Sequence, residues 1–135
     1  MHQLKVGLSS SSTYTATPDT LADRYGNPGV PVLATPHLVN LAEAECVRCV
    51  APCLGEGEST VGIRLDVRHL AATPAGMRFR VRAMLKEIDR RRLVFDVEAH
   101  DEVDLCFAGI HERFIIETAP FLARAQEKSK RGAAQ

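Results

Sequence analysis

The sequence lacks an excess of either charge and any long apolar run. Its 135 residues include 17 basic and 17 acidic side chains, so composition offers no electrostatic case for binding nucleic acid or an anionic membrane. No run approaches the roughly 20 apolar residues of a membrane span, and the N-terminus has no basic segment followed by an apolar one. We therefore expect a cytoplasmic protein without nucleic-acid or membrane partners.

The sequence also lacks a complete set of metal-binding residues. Cys46 and Cys49 form a Cys-x-x-Cys inside a predicted helix, but neither a second such pair nor two closely spaced histidines accompany them. We interpret these cysteines, with Cys53 and Cys106, as reduced structural thiols, and a redox or metal role is the alternative. No metal and no separate cofactor are expected.

A chain of this length supports one domain with a real core. We predict a single domain over residues 1–122. Residues 123–135 are rich in Lys, Gln, Ala and Gly, which is typical of a frayed or disordered C-terminal tail.

One apolar helix is predicted from Thr35 to Pro52. Thr35 is a suitable N-cap and Pro36 a suitable first helical residue, because proline lacks the donor that a helix start leaves unpaired. Apolar or small residues cover most faces of this segment, so the helix is expected to be buried. Glu43 lies in its middle, and a buried carboxylate has a cost that another group must offset.

The remaining segments predict strands. Apolar and polar residues alternate with a period of two after the helix, and short connections between these segments indicate antiparallel neighbours. The predicted strands are a bent edge strand within 4–17, then 61–67, 77–85, 93–99 and about 105–117. An α+β architecture follows, with a curved five-stranded antiparallel sheet wrapped around one long central helix, which is the hotdog fold.

Three stretches of the chain contain a recognisable set of residues. They are Ala34-Thr35-Pro36 through Glu43, the segment from Gly62 to Gly76 that contains His69 and Ala-Ala-Thr-Pro, and Ala108 to Arg113. Together they resemble the fluoroacetyl-CoA thioesterase type of hotdog thioesterase. The resemblance runs without an obvious insertion or deletion from about Val32 to Arg113. It implies hydrolysis of a short-chain acyl-CoA to a carboxylate and free CoA.

The resemblance also implies the site residues. Thr35, Glu43 and His69 match the catalytic threonine, glutamate and histidine of the family, Gly62 matches a glycine of the acyl pocket, and Arg113 matches an arginine placed to meet CoA. In the loop before the helix, Val30 and Leu33 are the predicted substrate contacts.

The chemistry fits these residue types. Hydrolysis of a thioester needs an activated oxygen nucleophile and a stabilised oxyanion, while the thiolate leaves with little help from an acid. His69 is the expected general base, acting on water or on the Thr35 hydroxyl. Glu43 either orients that imidazole or attacks the carbonyl itself. Taken singly, Thr35 as a helix cap and His69 as a surface residue are the simpler interpretations.

Geometry limits how Thr35 and Glu43 can act together. Eight helical residues separate them by roughly 12 Å along the axis, too far for direct contact if both lie on one straight helix. Either Thr35 folds back from the loop or two subunits share the site. We favour the shared site, which also fits the resemblance because hotdog domains commonly pair their sheets, and expect a homodimer, or a dimer of dimers.

The loop before the helix differs from the loop of the family that the chain resembles. The segment from Tyr25 to Leu33 contains no Phe, and Gly29 stands where the family has a lid aromatic, so a fluoroacetyl preference is not expected. The alternatives are a non-catalytic protein that binds acyl-CoA or another small ligand, and a hotdog hydratase or dehydratase.

Overall fold

One long helix and five antiparallel strands form the core of the fold. The computed structural model describes residues 3–133. In chain order its strands and α-helices are β1 (Ser9–Thr15), α1 (Thr35–Val50), β2 (Glu58–His69), β3 (Arg78–Asp89), β4 (Arg92–Asp101), β5 (Leu105–Glu117) and α2 (Thr118–Ala133). Short 3-10 turns lie at Pro18–Thr20, Ala22–Tyr25 and Ala51–Cys53.

The sheet has the strand order β1-β3-β4-β5-β2, with every neighbouring pair antiparallel. β1 and β2 are therefore the two edge strands. Irregularities in register at Gly62/Arg64 and Leu85/Glu87 interrupt β2 and β3, and such irregularities bend and twist a strand. The predicted α+β hotdog architecture, a curved five-stranded sheet around one central helix, is confirmed.

α1 packs mainly on the half of the sheet formed by β1, β3 and β4. Its buried residues Leu38, Ala42, Cys46 and Val50 recur at helical spacing and meet the apolar faces of these strands. The large sheet residues buried with them are Phe79, Val81, Leu85, Leu93, Phe95 and Phe107. Since α1 covers β2 and β5 less than it covers β1, β3 and β4, the inner face of the edge strand β2 remains accessible.

Two local predictions at the ends of α1 are wrong. Thr35 is the first residue of the helix and Ala34 takes the N-cap position without a side-chain cap, because the Thr35 hydroxyl is engaged elsewhere. At the other end the α-helix ends at Val50. Pro52, the predicted end, lies in the 3-10 turn that follows.

The serine run also differs from its prediction. Instead of a bend, Ser9–Ser12 form most of β1 and pair with β3. Alternate serines point inward, where Ser10 and Ser12 bond to a carboxylate of α1. These bonds compensate for the weak strand preference of a serine run.

The C-terminal segment is helical where a frayed or disordered tail was predicted. α2 covers Thr118–Ala133, has no buried residue and contacts chiefly β5. Its Ala, Leu, Arg, Gln, Glu and Lys residues are good helix formers, so local propensity accounts for the helix without tertiary packing. Residues 134 and 135 of the predicted tail lie outside the described residues.

Neither helix of residues 3–133 is long and apolar enough to cross a membrane. Within the same residues, His, Cys, Asp and Glu side chains form no group of three or more that could hold a metal ion.

Candidate active site

Thr35 and His69 are in direct contact. Thr35 Oγ1 at the start of α1 lies 2.6 Å from Nδ1 of His69, the last residue of β2. The helix start and the strand end thus bring together two residues that are 34 positions apart in the chain. A hydroxyl and an imidazole at this distance have the geometry that a nucleophile and its general base need in acyl transfer.

His69 is held in the neutral state. Its Nε2 is buried and has no hydrogen-bond partner within the described residues. Burial lowers the pKa of His69 below the usual value for histidine, although a contact with the backbone of Ala71 opposes the shift. A neutral imidazole can accept the Thr35 proton at neutral pH.

Glu43 lies in a second cluster. Its Oε2 is 3.4 Å from Nη1 of Arg113 and 3.5 Å from Nε2 of His111. The Glu43 side chain is 38% exposed, so this carboxylate faces the accessible part of the inner sheet surface. The Arg113 guanidinium therefore balances the charge of the Glu43 carboxylate from one side.

Arg113 is held inside the protein by several acceptors. Nε donates to Thr60 Oγ1 at 2.8 Å and Nη2 donates to the Thr60 carbonyl at 2.9 Å. Nη1 contacts His111 Nε2 at 3.0 Å as well as Glu43. Burial lowers the pKa of Arg113, while Glu43 raises it, and an arginine stays charged under these conditions. The predicted contact between Arg113 and CoA remains a prediction.

Gly62 makes the close approach of Glu43 possible. A Cβ at this position would lie 2.9 Å from Glu43 Oε2, 3.1 Å from His111 Cε1 and 3.4 Å from Arg113 Nη1. A side chain there would displace the Glu43 carboxylate. In this structure the space at Gly62, which the resemblance assigns to an acyl group, borders that carboxylate.

The fully buried carboxylate of α1 is Glu45, whereas the sequence pointed to Glu43. Glu45 is 0% exposed and accepts hydrogen bonds from Ser10, Ser12 and Arg48. Burial raises the pKa of Glu45, but the bonds from Arg48, Ser10 and Ser12 outweigh burial and lower it overall. Glu45 therefore joins α1 to β1, and Glu43 remains available for chemistry.

The loop before α1 places its two predicted substrate contacts differently. Val30 is exposed, whereas Leu33 is fully buried in the core and its N–H donates to the Thr73 carbonyl at 2.8 Å. Gly29 has a positive φ of 81°. Tyr25, the aromatic residue of this loop, contacts Nδ1 of His37 through its hydroxyl at 3.2 Å.

The two clusters are far apart within one chain. Gly62 and His69 are seven residues apart on β2, which corresponds to roughly 23 Å along a strand. Thr35 and Glu43 are separated by roughly 12 Å along α1. One chain therefore carries two separate polar clusters along β2, one beside His69 at the end of the strand and one beside Gly62.

Comparisons with known proteins identify the family of this chain. The family described as fluoroacetyl-CoA-specific thioesterase matches residues 16–119. The chain belongs to this family. The fluoroacetyl-CoA thioesterase of Streptantibioticus cattleyicolor is 43% identical over 101 residues, which are 75% of this chain and 73% of that protein.

Solved structures of thioesterases have the same fold. A structure of the fluoroacetyl-CoA-specific thioesterase superposes with a TM-score of 0.86 and 34% identity, covering 94% of this chain and 98% of that chain. A thioesterase superfamily member from Thermus thermophilus superposes with a TM-score of 0.92 and 30% identity over 100% of both chains. The predicted class of enzyme, a thioester hydrolase, is confirmed.

Sequence reasoning missed His111 and Thr60. It assigned no role to His111, whose imidazole the structure buries beside Arg113. The alternation along β5 carried a signal, because His111 and Arg113 share the inward face with Ile115. Two polar residues on the buried face of a strand predict a polar cluster.

Proposed function

We propose that this chain hydrolyses a short-chain acyl-CoA to a carboxylate and free CoA at a site that two copies of the chain build together. The observation that carries the proposal is the pair of polar clusters along β2, which we take as two half-sites. The nucleophile–base pair of Thr35 and His69 lies at the end of the strand, and the carboxylate–guanidinium cluster of Glu43 and Arg113 lies beside Gly62.

The edge of β2 supports the pairing of two copies. β2 is a twelve-residue edge strand whose neighbour in the sheet is β5, and a long unprotected edge is a template for another strand. Ile63 is 52% exposed and Leu65 is 40% exposed. Antiparallel pairing of two β2 strands about a two-fold axis near Asp66 brings His69 of one copy level with the Gly62–Ile63 region of the other.

The shared site completes the environment of His69. Its Nε2 has no hydrogen-bond partner within the described residues and therefore needs an acceptor, which a carboxylate of a second copy would supply. We assign this role to Glu43 of that copy, which orients the imidazole so that Nδ1 accepts from Thr35. The three groups then form a nucleophile, a base and an orienting carboxylate.

The reaction follows from these roles. His69 Nδ1 takes the proton of Thr35 as Oγ1 bonds to the carbonyl carbon, and the C–S bond breaks with its electrons on the departing CoA thiolate. Water then hydrolyses the threonine ester, and the hydroxyl proton returns to Thr35. Within the described residues the Thr35 N–H has no acceptor, while Pro36 has no N–H and that of His37 bonds to Ala34. The Thr35 N–H at the helix start is the donor for the oxyanion.

The open lid supports a broad acyl preference. Nothing lies within 4 Å of a Cβ built at Gly29, and the Tyr25 hydroxyl is turned toward His37. Without an aromatic lid to exclude larger groups, we expect similar kcat/KM values for acetyl-, propionyl- and butyryl-CoA. A preference of more than about a hundredfold for one of them contradicts this expectation.

Release of free thiol tests the catalytic assignment. We expect His69→Ala and Glu43→Gln to lower kcat at least about a hundredfold. The matched controls are His100→Ala and Glu98→Gln, because Glu98 has a similar side-chain exposure of 37% and contacts His100 away from the proposed site. Activity in the controls should stay within about twofold. Cleavage that neither site variant slows rejects the assignment.

Further outcomes separate the alternatives. Binding of acyl-CoA without thiol release identifies a non-catalytic binding protein, and turnover of a β-hydroxyacyl or enoyl chain with the thioester intact identifies a hydratase or dehydratase. Thr35→Ser should retain activity that Thr35→Ala loses, whereas full activity of Thr35→Ala indicates direct attack by water.

The shared site is tested by mixing inactive variants. Thr35→Ala and Glu43→Gln copies each lack one half-site, so mixed dimers contain one intact site. We expect mixing to restore about a quarter of the native activity under random exchange. No recovery from variants that exchange subunits, or full activity in a monomer, contradicts the two-copy site.

A further inference from the structure

His111 lies on the inward face of β5 between Arg113 and the backbone of β2. Its side chain is nearly fully buried. Nδ1 lies 2.9 Å from the Arg64 carbonyl oxygen, and Nε2 lies 3.0 Å from Arg113 Nη1. Both ring nitrogens are therefore engaged by the protein.

These two contacts select one form of the imidazole. A carbonyl oxygen only accepts, so Nδ1 carries the proton, and a guanidinium only donates, so Nε2 is the acceptor. A protonated imidazole would set a second N–H against the Arg113 donor. The geometry is satisfied by the neutral Nδ1–H tautomer.

Burial favours that neutral form over the combined influence of the charged groups around His111. They are Glu43 from α1, Arg64 from β2, and Glu112 and Arg113 from β5. Burial is the dominant influence and lowers the pKa of His111, Arg113 acts in the same direction, and the Arg64 carbonyl and the two carboxylates oppose it. The net shift is downward, so the imidazole stays neutral at pH 7.

His111 also restricts the orientation of Arg113. Thr60 accepts from Nε and Nη2, and His111 accepts from Nη1. The Nη1 nitrogen has two hydrogens, and its other contact is Glu43 Oε2 at 3.4 Å. Because one Nη1 hydrogen is bonded to His111, the second hydrogen points toward the Glu43 carboxylate.

We propose that His111 is a positioning residue of the thioesterase, held as the neutral Nδ1–H tautomer, which orients Arg113 so that its guanidinium supports the Glu43 carboxylate. The role rests on the proposed function, since it acts through Glu43. His111 itself does not touch the substrate.

Two substitutions separate the acceptor from simple packing. In His111→Gln the amide oxygen can replace Nε2 as the acceptor for Arg113, whereas His111→Leu fills the space without an acceptor. Both variants lose the imidazole donor to the Arg64 carbonyl, so loss of that donor does not by itself distinguish them.

For His111→Gln we expect kcat within about threefold of the native value. For His111→Leu we expect kcat to fall about 10- to 100-fold with KM within about twofold, because a buried donor of Arg113 loses its partner and Glu43 loses its support. Equal kcat values in folded samples of the two variants overturn the proposal, as does a loss confined to KM.

The pH profile gives a second readout. In the native chain both His69 and His111 must be neutral, so kcat/KM falls on the acid side with the loss of two groups. His111→Gln removes one of them, and the acid limb should become less steep. An unchanged slope in this variant overturns the role of the neutral imidazole.

A spectroscopic measurement tests the tautomer without relying on activity. In the full chain labelled with ¹⁵N-histidine, the signal that His111→Gln removes should show a protonated Nδ1 and an unprotonated Nε2 at pH 7. An Nε2–H or doubly protonated ring overturns the inference. If the native chain releases no thiol while this tautomer is present, the proposed function fails and the assignment of the Nδ1–H tautomer stands.

Discussion

At the scale of single residues, the two glutamates of α1 have opposite environments. Glu45 is fully buried and accepts from Ser10, Ser12 and Arg48, whereas Glu43 is partly exposed beside Arg113. A buried carboxylate needs several donors to offset its desolvation. The serine run of β1 supplies two of them, which gives an otherwise poor strand sequence a specific place against α1.

The contribution of these serines can be measured. Ser12→Ala removes one donor, at 2.6 Å from Glu45 Oε1, and should lower the free energy of unfolding by about 1.5–3 kcal/mol, the usual range for a hydrogen bond to a charged group. Urea unfolding measures the change. Ser11→Ala is the control, because Ser11 points outward on the same strand and should change stability by less than about 0.5 kcal/mol. Equal effects of the two substitutions contradict this role for Glu45.

At the scale of elements, β2 and β5 come unusually close at Gly109. A Cβ on Gly109 would lie 2.2 Å from the Asp66 carbonyl oxygen and 2.5 Å from Val67 Cα. Both atoms belong to the backbone of β2, which cannot move without disturbing the ladder to β5. Glycine at this position permits the close approach of two strands.

Gly109→Ala should therefore be severely destabilising. We expect a loss of about 3 kcal/mol or more, since the clash is with backbone and cannot be relieved by a rotamer change. Thermal unfolding of the variant measures it. Gly132→Ala is a suitable control, because nothing lies within 4 Å of a Cβ there. A native-like melting temperature for Gly109→Ala rejects the close approach.

The part of α2 after residue 122 should be dispensable for folding. α2 has no buried residue and contacts mainly β5. We expect a chain that ends at residue 122 to unfold within about 1 kcal/mol of the full chain in a urea titration, because little apolar area is lost. This truncation also tests the predicted domain boundary. A large loss of stability places that boundary further toward the C-terminus.

At the scale of the whole molecule, stability should fall as the pH falls from 7.5 to 5.5. Burial lowers the pKa of His37, His69 and His111 in the folded state, whereas unfolded histidine titrates near pH 6.5. Above that pH neither state is protonated and the full stability is present. As the pH falls through about 6.5 the unfolded chain binds protons first, and stability is lost.

Urea midpoints at pH 7.5 and 5.5 measure this dependence. His111→Gln should show a smaller fall than the native chain, because one of the three groups is removed. Four carboxylates have lowered pKa values, Asp19, Glu45, Asp101 and Glu112. They lose their contribution only at lower pH, as acid protonates them below about pH 4. Equal midpoints at pH 7.5 and 5.5 contradict the assignment of neutral buried histidines.

The sequence by itself determined the elements and their order. The last strand was predicted at about 105–117, and β5 has the bounds Leu105–Glu117. The apolar segment after Thr35 predicted α1 with a small error at its C-terminal end. These properties follow from local periodicity and turn chemistry, which depend on residues close together in the chain. The motif around Thr35, Glu43 and His69 likewise led to the correct family.

Only the tertiary structure decided which polar groups meet. Both glutamates of α1 lie in an apolar segment, and the burial of Glu45 depends on β1 serines more than 30 residues away. The contact of His111 with Arg64 depends on the register of β2 on β5, across 47 residues. Such contacts depend on strand register and on helix orientation over the sheet, and a pattern of neighbouring residues does not specify either.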